Sequence, residues 1–349
     1  MTQMERDSAR EQYDEFDDGE LAPWDVVAAT EDWSGLLVGN GASIAIWDGF
    51  RYDSLLETAA DPDAEYQLSD EGCQLFERLE TENFETVLSA LRTARIVDDV
   101  LGFDVSVHDA LYETVREALV AAVQVVHVPY DRVPESTLRV IRSALEDFDF
   151  VFTTNYDLLL YWGVMLDGGG IPDYFWSKDL LVFDPLNVEV WQKATKLLYL
   201  HGGLHLVHLT DGRTLKRTAE QWGRNLLELF GQPPSLDDGA VPLFISEGES
   251  ADKLAAIRRS DYLTFALTQL AALDRPIVIF GHSLSTQDRH IVDVLRAHRS
   301  PAAVAIYATD ADAIIAEKAR LEAALPHRPL RFFQSQSHPL GSPDLRVAS

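Results

Sequence analysis

FDFVFTTNYDLLLYW, residues 148–162, poses the problem that the rest of the chain answers. An apolar, aromatic run that reads as a buried strand passes directly into Thr153, Thr154, Asn155, Tyr156 and Asp157, then becomes apolar again. Polar groups crowded at the end of a buried strand are costly to desolvate unless each finds a partner, and a ligand is one such partner. Similar short runs recur at 36–38, 197–200, 243–246, 277–280 and 304–307, with helical stretches between most of them. Continuous apolar strands alternating with helices predict an α/β chain with a doubly wound, mostly parallel sheet. Such sheets bind ligands beyond the carboxyl ends of their strands.

The 349 residues, 46% of them hydrophobic, suffice for one large Rossmann-like domain with insertions. Residues 1–20 carry eight acids and two arginines and almost no aliphatic side chains, so they read as an acidic flexible or loosely helical tail, with the domain spanning 21–349. Helical periodicity dominates 52–147, which predicts a large helical insertion, and a smaller loop and helix insertion is expected over about 205–240. The net charge is −28, and only six basic residues are lysines. A field of that sign argues against direct nucleic-acid binding and for a solvated acidic surface. No apolar run is long enough to span a bilayer and no basic-then-apolar leader opens the chain, which points to the cytoplasm. One cysteine, Cys73, excludes an internal disulfide and a zinc site of several thiolates.

Four strand ends carry groups suited to a ligand. Gly39-Asn40-Gly41 leads into an apolar helix, an arrangement that brings backbone N–H groups toward a phosphate, with Ser43 as a further donor. Thr154, Asn155 and Asp157 follow the strand of the opening stretch, and each is also a common cap or turn former. His201, before Gly202-Gly203, is a candidate general base, because the ordinary pKa of a histidine lies near neutral pH. The spacing of His201, His205 and His208 lacks the pattern of a helical metal motif, so no metal is expected, and His205 and His208 read as structural. Gly281-His282-Ser283-Leu284-Ser285 resembles a nucleophile elbow, with either Asp310 or Asp312, and His327, as triad partners, except that Ser285 stands where the elbow has glycine.

Taken in order, Gly39-Asn40-Gly41-x-Ser43, Thr153-Thr154-Asn155-Tyr156-Asp157, Leu200-His201-Gly202 and Gly281-His282-Ser283-Leu284 resemble the motifs GAG-x-S, TQN-x-D, LHG and GTSL of the sirtuin superfamily of NAD hydrolases. The stretches NFETVLSAL, PLFISEG, SDYLTFALTQL and GHSLSTQDRHIVDVL are similar to the uncharacterised domain-of-unknown-function family 4917. Asn40 replaces the usual alanine, and the four zinc-binding cysteines of the deacylases are missing. The chain is therefore more similar to the zinc-free members, which cleave NAD in antiphage defence.

The resemblance implies an NAD+ glycohydrolase with NAD as substrate and no zinc. Asn155 would hold the ribose or the attacking water, His201 would be the base, and Asp157 would anchor the nicotinamide side. Gly39, Asn40, Gly41, Ser43 and Thr154 would surround the pyrophosphate, and Gly281 and Ser283 the adenosine ribose. It also implies a homo-oligomer or a regulatory partner protein that restrains the activity. A module that binds NAD or ADP-ribose without turnover, and a serine hydrolase using Ser283, are the alternatives.

Overall fold

A computed structural model of the chain describes residues 2–51, 55–62, 66–166, 171, 173–175, 181–187, 195–218, 226–229, 240–245 and 250–348. Its strands are β1 (Gly35–Val38), β2 (Phe150–Thr153), β3 (Lys196–Tyr199), β4 (Gly202–His208), β5 (Thr214–Lys216), β6 (Val241–Phe244), β7 (Ile277–Phe280), β8 (Ala302–Ile306) and β9 (Leu330–Gln334). Six of them form one parallel sheet in the order β3-β2-β1-β7-β8-β9. Every residue of β1 and β7 is buried, as expected for central strands covered by helices on both faces. The strand order runs outward in both directions from β1 and β7, so the crevice expected of a doubly wound sheet lies beyond the ends of that pair.

Register fixes what meets there. Val38 pairs with Thr153 and with Phe280, and Thr153 pairs with Tyr199. The four segments singled out in the sequence therefore leave β1, β2, β3 and β7 at one level of the sheet.

The run expected as a strand over 243–246 behaves differently. β6 ends at Phe244 and pairs antiparallel with β4, within a separate three-stranded sheet ordered β5-β4-β6. Gly202 is the physical reason: its φ of +76° reverses the chain after β3, and a Cβ there would sit 2.2 Å from the Leu243 carbonyl oxygen. An apolar run does not by itself distinguish parallel from antiparallel pairing. β4 and β5 also replace part of the loop expected from 205 onward, while the loops expected over 219–225 and 231–239 lie outside the described residues.

The region between β1 and β2 is helical, as its periodicity requires, with helices Leu55–Ala60, Asp70–Arg78, Phe84–Leu101, Ser106–Val126 and Glu135–Glu146. Its apolar faces join the main core through Val87, Leu88, Leu119 and Ile141. The acidic tail is not free. Thr2 and Glu5 form a capping box for the helix Gln3–Tyr13, Arg10 pairs with Glu31 at 2.9 Å, and the Tyr13 hydroxyl accepts from the Phe332 N–H at 2.7 Å. Composition alone missed that docking because the apolar contribution is small, limited to Ala9, Tyr13 and Phe16, and polar contacts supplement it.

Two buried histidines outside the strand-end crevice make the fold acid-sensitive. His127 Nδ1 lies 2.7 Å from the Val128 carbonyl and its Nε2 accepts from the Leu158 N–H at 3.0 Å, an arrangement that fixes a neutral ring. His338 accepts from the Leu340 N–H and packs against Trp24, Phe280 and Phe333. Burial lowers their pKa values to about 4 and about 3. Below the unfolded value of 6.5 the unfolded chain binds protons that the folded chain refuses, so stability falls as pH falls. Urea unfolding should show a loss of at least about 3 kcal/mol between pH 7 and pH 5 from this pair. Equal stability at the two pH values would contradict their burial as neutral rings.

Candidate functional site

At the switch point the segments after β1 and β7 pack backbone on backbone. Gly39 N–H donates to the Phe280 carbonyl at 2.9 Å, and Gly41 N–H donates to the Gly281 carbonyl at 2.8 Å. Gly281 has φ +68°, and a Cβ on it would lie 2.5 Å from the Ala42 nitrogen. Both glycine amides expected to face a phosphate are thus already partnered. What the glycines provide is a close loop-to-loop approach and a low surface over which a ligand can pass.

Ser43, Asn155 and Asp157 are brought together. Ser43 Oγ donates to Asp157 Oδ2 at 2.5 Å and accepts from Asn155 Nδ2 at 2.8 Å. Asp157 Oδ1 accepts from the Leu159 N–H at 2.8 Å, so both carboxylate oxygens are occupied at the start of the helix Leu159–Met165. Burial raises the Asp157 pKa, and the Ser43 hydrogen bond opposes it. Asn155 is held through its own N–H, which donates to Thr153 Oγ1, and through Nδ2. Its Oδ1 is buried without a hydrogen-bond partner among the described residues. A buried amide oxygen left unpaired costs about 1–3 kcal/mol, which a ligand hydroxyl or water would recover.

His201 enters a second cluster, built largely from residues after β7. Its Nε2 lies 3.0 Å from His290 Nε2 and 3.8 Å from Asp288 Oδ1. Asp288 Oδ1 accepts from Lys253 Nζ at 2.9 Å, and Oδ2 lies 3.4 Å from His282 Nε2. Ser250 Oγ accepts from the His290 N–H at 2.9 Å and sits 3.0 Å from its Nδ1. Because β3 and β7 are separated by β2 and β1, the segment after β7 must reach across roughly 14 Å of sheet. It spans the ends of the two strands whose following segments carry Ser43 and Asn155. Leu284, in that same segment, has φ +49°, a strained conformation for a bulky residue of the kind found at functional sites.

Electrostatics separate the roles. Burial, opposed in part by Asp288, holds His201 well below the ordinary histidine value, so it is a neutral imidazole at neutral pH. Burial likewise lowers His282, and takes His290 to about 4. Burial would raise Asp288, but its surroundings, among them the Lys253 ammonium that donates to it, outweigh burial and keep the carboxyl well below its usual range. The cluster therefore holds an ionised carboxylate, a lysine and three neutral rings.

A cavity of about 630 Å³ opens at the switch point, lined in part by Asn40, Gly41, Thr154, Gly281, Ser283 and Asp288. An adjoining cavity of about 340 Å³ shares Gly41, Ile44, Gly281, Ala305 and Tyr307 with it and adds Arg51 and Arg346. Asn40 Nδ2 donates to the Phe50 carbonyl at 3.1 Å, and the Thr154 N–H donates to the Val38 carbonyl at 3.0 Å. His201 and Asn155 are 3% and 4% exposed and are not among the residues that line either cavity. Asp310 accepts from the N–H groups of Asp312 and Ala313 as a helix cap, which accounts for that acid without a triad at Ser283. His205 packs against Tyr161 and Tyr199 in the core.

Asp288, His290, Lys253 and Ser250 were not among the expected site residues. The signal for the first two was the pair of histidines flanking one aspartate in GHSLSTQDRHI; Lys253 is a lysine buried to 7% exposure, which requires a partner.

Replacing Gly281 with alanine should cost at least about 2 kcal/mol, from the left-handed φ and the clash with Ala42. Chemical denaturation checks this, and an undiminished unfolding midpoint would show that the loops do not need the close approach.

Residues 36–340 match the model of the family described as Domain of unknown function (DUF4917), and the chain belongs to that family. No curated protein matches it. Among solved structures, one from work on the mechanism and regulation of Sir2 enzymes aligns over 91% of this chain and 99% of its own, at 11% identity and a TM-score of 0.36. Among the described residues no helix is long and apolar enough to cross a membrane.

Proposed function

We propose that the chain is an NAD+ glycohydrolase that binds the dinucleotide along the two adjoining cavities and cleaves its nicotinamide–ribose bond. The observation that carries the reading is the unpartnered, buried Oδ1 of Asn155, held in place by Ser43 and set at the level where the segment leading to neutral His201 leaves the sheet. The order of the four strand-end motifs supports the choice of NAD. The glycine waist shared by the two cavities leaves room for a pyrophosphate, with Arg51 and Arg346 on the side of the adenosine half.

In the reaction the C1′–N1 bond breaks and its electron pair leaves with nicotinamide, which becomes neutral while the ribose gains oxocarbenium character. Water forms the new bond to C1′ and gives its proton to the His201 imidazole. Asn155 Oδ1 accepts from that water or from a ribose hydroxyl. Asp288 carries the charge that stabilises protonated His201, and Ser43 with Asp157 fixes the Asn155 amide. The products are nicotinamide, ADP-ribose and a proton. Depletion of NAD in an infected cell, under control of a homo-oligomer or partner protein, is the role we assign to this activity.

A second reading, binding of NAD or ADP-ribose without turnover, is favoured by the burial of His201 and Asn155 and their absence from the lining of both cavities. Nicotinamide release from NAD+ separates the two. The wild-type chain should release nicotinamide, and His201→Ala and Asn155→Ala should each lose roughly 100-fold or more in rate while still binding ADP-ribose. A base must be unprotonated to act, and its pKa here is depressed, so the rate should hold as pH falls from 7 to 6. ADP-ribose binding with no release in any assembly state would establish the second reading.

A further inference from the structure

We infer that His201, Asp288 and His290 form a binding site for a divalent transition metal of the zinc class, and that its occupancy switches the chain off. The spacing of His201, His205 and His208 shows no metal motif; the set found here is spread along the chain, two of its residues following β7 and the third following β3.

One ligand atom from each of the three residues lies within 4.8 Å of the other two. The His201 to His290 separation of 3.0 Å and the His201 to Asp288 separation of 3.8 Å bracket the roughly 3.3 Å edge of a tetrahedron with zinc–nitrogen bonds near 2.0 Å. Two imidazole nitrogens with a carboxylate are also the donor set that such ions take. Ser250 Oγ beside His290 Nδ1 supplies the outer hydrogen bond that fixes a ligating ring, leaving Nε2 toward His201.

An independent observation comes from His282. Its side chain is 2% exposed, and its Nε2 has no hydrogen-bond partner among the described residues while facing Asp288 Oδ2 at 3.4 Å. The Leu284 N–H donates to His282 Nδ1, so the proton of the neutral ring sits on Nε2, which braces the carboxylate as an outer partner. Lys253, on Asp288 Oδ1, supplies the positive charge that balances the carboxylate when the site is empty. Asp288 and His282 line the 630 Å³ cavity, which gives an ion its way in.

Coordination needs the Nε2 lone pairs of both His201 and His290. The single proton between the two rings moves to an Nδ1, so each ring stays neutral and no proton is lost. A bound ion therefore takes His201 out of use as a base. This last consequence rests on the proposed NAD cleavage; the binding itself does not.

The test uses the full chain, stripped with a chelator and titrated with Co2+ as a spectroscopic stand-in for Zn2+. We expect one ion per chain by equilibrium dialysis, with the visible band of a four-coordinate, nitrogen-ligated Co2+. His290→Gln and Asp288→Asn should each weaken binding by more than the 10- to 100-fold typical of an outer-shell change, and His208→Gln should leave it intact. Lys253→Met, which removes the competing cation, should tighten binding and so tests the site even if a ligand variant fails to fold. Absence of the band in the wild-type chain, its survival in folded His290→Gln or Asp288→Asn, or weaker binding by Lys253→Met overturns the site. Nicotinamide release with and without Zn2+ forms a separate arm. Binding without inhibition overturns the switch alone, whereas no release under any condition overturns the NAD reading and leaves the metal site standing.

Discussion

The contact between Gly39-Asn40-Gly41 and Gly281 is the constraint on which the molecule's functional end depends. A Cβ on Gly39 would stand 2.5 Å from the His282 Cα, and one on Gly41 would stand 2.8 Å from the Gly281 Cα, so no other residue permits these two loops to touch. Their approach closes the gap between the halves of the doubly wound sheet. It also aims the segment after β7 back over β1 and β2, and that direction delivers His282, Asp288 and His290 to His201.

Parallel pairing adds the second requirement. Because Val38, Thr153, Tyr199 and Phe280 share one level, the polar groups that follow them emerge together without long loops to position them. Two buried polar groups result. One, Ser43 with Asn155 and Asp157, is satisfied except at a single amide oxygen. The other surrounds the ionised Asp288 with Lys253 and three neutral rings. A buried carboxylate persists only when paired, and Lys253 does the pairing within a chain of net charge −28.

Much of this is legible in the sequence. The strands at 150–153 and 277–280 are where the apolar runs ended, because a central strand of a parallel sheet is covered on both faces and shows as an unbroken apolar word. The pairing of Ser43 with Asn155 and Asp157 was not legible, since nothing local to either segment encodes which strands are neighbours. The same limit hid Asp288, whose surroundings in sequence read as a helix cap. β6 looked like another parallel strand because its burial matches theirs, and only the turn at Gly202 sends it into a different sheet. The docked tail is hidden for the opposite reason: Ala9, Tyr13 and Phe16 make only a small apolar face, and Arg10 and the Tyr13 hydroxyl supply the polar contacts that complete it.

The claim at the centre is that Asn155 Oδ1 waits for a ligand hydroxyl or water at the switch point. A crystal structure of the chain with ADP-ribose bound addresses it most directly. The account predicts the pyrophosphate over the waist formed by Gly41 and Gly281, with Asn155 Oδ1 within hydrogen-bond distance of the distal ribose or of a water beside it. ADP-ribose bound elsewhere, or bound here with Asn155 Oδ1 still unpartnered, would contradict it.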